Sequence, residues 1–92
     1  MKTVIDCTQI QTRAQLHDAL QNALSLPDWY GRNLDALADC LGDIRGDTQL
    51  VLQQFGVLKD RLGFYAHTLE IVLRRACEDN DHLTVTYTEL DT

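Results

Sequence analysis

Ninety-two residues, 45% hydrophobic and 24% charged, make one ordinary globular domain over residues 1–92, too short for two cores and too apolar for disorder. Fourteen acids against eight lysines and arginines leave a net charge of -6. So few cations argue against binding to a nucleic-acid backbone, and the excess acid mildly favours capture of a basic partner.

No run reaches the roughly 18 apolar residues of a membrane span, and MKTVIDCTQI lacks an apolar stretch of signal-peptide length, so a cytoplasmic protein is expected. Cys7, Cys40 and Cys77 are an odd, widely spaced set without a Cys-x-x-Cys. They read as small apolar residues kept reduced, although the spacing also permits a Cys7–Cys77 pair.

Residues 3–7, TVIDC, are rich in β-branched side chains and predict a strand. Thr12 followed by Gln15 is a capping box, and Leu16, Ala19, Leu20, Ala23 and Leu24 recur at helical spacing, so a helix is expected over 13–24. Pro27 prevents its continuation. In the loop that follows, Gly31 is free to take positive φ, and Asn33 caps a second helix from Leu34 to about Leu41, closed by Gly42. Residues 49–53, QLVLQ, predict a buried strand. A short helix over 55–63 ends at Gly63, and a longer one over 66–79 turns Leu69, Val72, Leu73 and Ala76 inward. Asn80 is expected to end it in the left-handed conformation. Residues 83–88, LTVTYT, alternate apolar and threonine, as in a strand with one packed and one wet face. Strands separated by helices imply right-handed crossovers. The expected fold is α/β: a small three-stranded parallel sheet with about four helices packed mainly on one face.

At about 100° per residue, Leu34, Leu37, Leu41 and Ile44 share one arc of the second helix. Asp35, Asp39 and Asp43 share another, nearly opposite, so the three acids form an outward ridge. Solubility alone explains such a ridge poorly. Aspartate is a weak helix former, and like charges four apart cost a few tenths of a kcal/mol per pair. The helix dipole opposes Asp43 near the C-terminal end. Only Arg32 is near enough in sequence to relieve Asp35, and no lysine or arginine lies between 33 and 44 to relieve Asp39. The ridge therefore reads as a binding surface. Trp29 and Tyr30, just before it, are residue types that anchor interfaces. Tyr30 is expected to be structural and Trp29 exposed.

The segment LPDWYGRNLDALADCL, residues 26–41, resembles the most recognisable stretch of the barstar family, intracellular inhibitors of a secreted guanyl-specific ribonuclease. Leu16-His17, Leu50-Val51-Leu52 and Leu83-Thr84-Val85 extend the likeness over nearly the whole chain. The resemblance implies a parallel sheet with helices packed on it. It also implies an acidic helix and loop that plug a cationic active site in a one-to-one heterodimer, the free inhibitor being a monomer. By position, Trp29 stands where the family has an exposed tyrosine, and Gly31, Asn33 and Leu34 match loop contacts. Asp35 and Asp39 match the central acids, Asp39 where the RNA phosphate would lie, and Asp79 replaces a glutamate. Ala38 and Ile44 stand where the best-known member has tryptophan, and Arg32 and Arg75 about where it has acids. Asp43 has no counterpart there. These departures imply a shifted partner.

No catalytic residue, cofactor or metal is expected. There is no nucleophile elbow, P-loop or HExxH, and His17, His67 and His82 lack metal-ligand spacing, reading instead as surface or capping groups. The main rival is a barstar-like immunity or adaptor protein whose basic partner is not a ribonuclease.

Overall fold

β-Branched and leucine-rich segments become the three strands of one sheet, β1 (Lys2–Asp6), β2 (Thr48–Gln53) and β3 (Leu83–Thr88). A computed structural model describes residues 1–89, so the last three residues of the expected domain lie outside the described residues. All pairings are parallel and β2 is central. Parallel neighbours cannot be joined by a tight turn. Accordingly α1 (Arg13–Leu24) and α2 (Leu34–Gly42) lie between β1 and β2, and α3 (Phe55–Leu62) and α4 (Phe64–Asp79) between β2 and β3. The α/β fold expected from the sequence is the fold observed.

Register decides which residues reach the core. Ile5, Leu52 and Tyr87 lie abreast, as do Leu50 and Val85, and Ile5, Leu50, Leu52 and Leu83 belong to the buried cluster. The intervening row of Val4, Val51 and Thr86 points the other way, and Val4 is exposed. Leu16 and Leu20 of α1, Leu37 and Leu41 of α2, Leu58 of α3, and Leu69 and Leu73 of α4 close over the first face. On β3 the alternation fades towards the C-terminal end, where Val85 is half-buried and Tyr87 exposed, because β3 is an edge strand.

Most helix boundaries follow the local chemistry. Thr12 accepts a hydrogen bond from the Gln15 amide and starts α1 as expected. The reciprocal bond differs from the expected box: Gln15 Oε1 accepts from the amide of Gln11, one residue before the cap. Gly63, at φ 55° and ψ -124°, is the only residue between α3 and α4, so α4 begins at Phe64, two residues earlier than the periodicity predicts. Asn80 is a correction. Its backbone is extended (φ -132°, ψ 107°), not left-handed. The reason is tertiary. The side chain is buried, donates to the carbonyls of Leu41 and Ile44, and accepts from the amide of His82.

His17 is a second correction. Expected at the surface, it is 2% exposed, with Nδ1 on the Tyr30 hydroxyl and Nε2 at 2.6 Å from the Tyr65 hydroxyl. A neutral imidazole offers one donor and one acceptor, so each tyrosine finds a partner. Burial, aided by the Arg32 charge, lowers the His17 pKa from its ordinary value, with nearby Asp18 opposing. The unfolded chain therefore takes up a proton first as pH falls. Stability should drop as pH falls from about 6.5 towards the depressed value and level off below it. Urea unfolding between pH 7.5 and 5.5 should show a smaller loss in His17→Gln than in the parent. Equal losses would assign the pH dependence to other groups.

Candidate partner-binding face

The loop before α2 is anchored from behind. Tyr30 is 4% exposed and held by His17, which leaves the adjacent Trp29 74% exposed, as the sequence led us to expect. Gly31 is needed for a different reason from the one expected. It does not adopt positive φ; instead an added Cβ would lie 3.3 Å from Ala36 Cβ and from Asn33 Nδ2, so the close approach of loop to helix favours its small size. The left-handed residue is Arg32, at φ 57°. Its guanidinium pairs with Asp18 at 2.7 Å and donates to the Ala14 carbonyl, so it faces α1 and leaves Asp35 unrelieved. Asn33 caps α2 by accepting from the Ala36 amide at 2.8 Å, and its amide nitrogen donates to the Gly31 carbonyl. Most of its polar capacity is therefore used within the loop.

On α2 the inner face is Leu37, Cys40 and Leu41, with Leu34 half-buried. Asp35, Asp39 and Asp43 are all exposed, as is Asp79 on α4. Among the described residues none of the four forms an ion pair. Arg45, two residues after Asp43, donates to the Gly42 carbonyl. Beneath the ridge, burial raises the Cys40 pKa, reinforced by the carboxylates of Asp43 and Asp39. All three cysteines are free.

Two hollows flank the ridge. One, of ≈ 320 Å³, lies between α2 and α4 and is lined by Leu34, Asp35, Ala38, Val72, Arg75 and Asp79. The other, of ≈ 210 Å³, lies under the loop and is lined in part by Trp29, Asp43, Cys40 and Ile44. On the helical wheel Asp39 falls between Asp35 and Asp43, hence on the crest between the hollows. Trp29 and Asp43 thus line one hollow, Leu34, Asp35, Ala38 and Asp79 line the other, and the exposed Asp39 lies between them on α2, with Gly31 and Asn33 shaping the loop. Val72 is not simply an inner residue, since it also floors the first hollow. Tyr65, which steadies the loop through His17, carries no local sequence pattern that marks it.

Among the described residues no group of three or more His, Cys, Asp or Glu side chains is placed to hold a metal, and no helix is long and apolar enough to cross a membrane.

Residues 1–89 match the family model described as "Barstar (barnase inhibitor)". The chain is also 42% identical over 79 residues to the Bacillus subtilis (strain 168) protein named "Putative ribonuclease inhibitor YrdF", a match covering 85% of this chain and 87% of that protein. With the parallel three-stranded sheet and the segment around α2, these matches make the chain a member of the barstar family.

Proposed function

We propose that the chain, as one domain over residues 1–92, inhibits a basic microbial ribonuclease of the guanyl-specific type. It would bind one to one in the cytoplasm and otherwise remain a monomer. The observation that carries this reading is a set of exposed carboxylates, Asp35, Asp39, Asp43 and Asp79, without ion pairs among the described residues on a braced helical surface. Family membership and the name of the relative point the same way.

The mechanism follows from electrostatics. A ribonuclease gathers cations to hold a phosphodiester and stabilise its transition state. Carboxylates on α2 occupy the positions of RNA phosphates but offer no bond to cleave. Bracing matters, because side chains and loops that must be ordered on binding consume affinity. Here the Asn33 cap and the Tyr30–His17 contact hold the loop, and Asn80 holds the C-terminal end of α2.

The decisive experiment is inhibition of RNA cleavage across a panel of basic microbial ribonucleases. Nanomolar inhibition of at least one supports the reading; inhibition of none overturns it. One observation favours the second reading, an immunity or adaptor protein with a basic partner of another kind. Arg75 adds a positive charge to the hollow between α2 and α4, where Ala38 leaves space. Affinity capture from the host separates the two, by whether the captured protein cleaves RNA.

Attraction between opposite fields also predicts salt dependence. Raising ionic strength from about 0.05 to 0.5 M should slow association at least about 10-fold and speed dissociation much less. Stopped-flow association measures this, and a salt-independent on-rate would remove steering from the mechanism.

A further inference from the structure

The hollow under Trp29 is distinct from the crest at Asp39 and from the groove towards α4. Trp29 and Asp43 both line it, with Leu24, Pro27, Cys40 and Ile44 as apolar surroundings. Three observations bear on what fills it. Asp43 is the only charged residue in the lining and forms no ion pair among the described residues. It caps the C-terminal end of α2, where the helix dipole disfavours an anion, so helix stability does not account for it. Trp29 is the only tryptophan in the chain and is 74% exposed beside this carboxylate-bearing hollow.

We propose that this hollow is a slot for one arginine side chain of the basic partner. The occupant is set by chemistry. A cation is required by Asp43. An indole face attracts cations, and a planar guanidinium stacks on it better than an ammonium does. A carboxylate accepts two parallel hydrogen bonds from a guanidinium. The apolar surroundings suit a methylene stem. The slot adds a second cation-binding point about one helical turn beyond Asp39, and so selects partners carrying an arginine at the margin of their cationic centre. This rests on the reading of α2 and its loop as the partner-binding face, but it is tested without a ribonuclease.

Hexa-arginine is titrated into the intact protein while the emission of Trp29 is followed. Saturable change in emission is expected, with hexa-lysine at least about 5-fold weaker. Asp43→Asn should weaken hexa-arginine binding at least about 5-fold. Asp79→Asn removes the same charge from the other hollow and should weaken it less than about 2-fold. Equal losses in the two variants would reduce the effect to the general field of the acidic face and overturn the slot. Equal affinity for the two peptides would overturn arginine, and unchanged emission would overturn the role of Trp29. Against any ribonuclease that the parent inhibits, Trp29→Ala and Asp43→Asn should be non-additive in affinity, as expected of residues sharing one partner group. Additive losses would count against the slot, whereas absence of any inhibited ribonuclease would count only against the proposed function.

Discussion

Asp39→Ala is expected to weaken inhibition of a target ribonuclease at least about 30-fold, the loss that marks an interface hot spot. The same substitution should leave unfolding stability within about 0.5 kcal/mol of the parent. The two effects separate because Asp39 is exposed, makes no ion pair among the described residues and stands on the crest between two hollows. Its removal costs the fold nothing that it had bonded. Alanine is the better helix former, and the exchange relieves repulsion from Asp35 and Asp43, four residues away on either side. Stability should therefore be unchanged or slightly raised. Inhibition constants and urea unfolding on the same preparations check this. Parallel losses in both would make Asp39 a structural residue and overturn the proposed mimicry of RNA.

Asn80 should behave in the opposite way. Asn80→Ala is expected to destabilise the fold by about 2–4 kcal/mol, because it empties a buried position and removes the side-chain bonds to the Leu41 and Ile44 carbonyls and from the His82 amide. Thermal unfolding should fall by at least about 8 °C. Asn80→Gly is the sharper test. A left-handed helix terminus would tolerate glycine or gain from it. The extended backbone and bonded side chain observed here predict a loss comparable to that of Asn80→Ala. Because Asn80 joins the ends of α2 and α4, both variants should also weaken inhibition, unlike changes confined to the exposed acids. A stable Asn80→Gly protein would refute this bracing role.

The contrast between Asp39 and Asn80 shows where the information lies. The positions of most elements, the parallel sheet and the outward ridge of aspartates were legible in the sequence. Those features depend on local periodicity, caps and turn residues, whose causes lie within one helical turn or one strand pair. Trp29 and Tyr30 were also separable, one exposed and one buried, because only one of two adjacent aromatics can reach the core beneath a short loop. The positive φ moved from Gly31 to Arg32, a choice set by the contact of the loop with Ala36 and by the pairing of Arg32 with Asp18 on α1. His17 became a buried bridge because Tyr30 and Tyr65, 13 and 48 residues away, meet it from two sides. Asn80 exchanged a local cap for bonds to carbonyls more than 35 residues away. The amino-acid sequence by itself determined the strands, the helices and the charge that faces solvent, since each answers to neighbouring residues. Only the tertiary structure decided which polar side chains are satisfied internally, and hence which of the described carboxylates stay exposed without an ion pair, because hydrogen bonds between distant segments exist only once the chain has closed on itself.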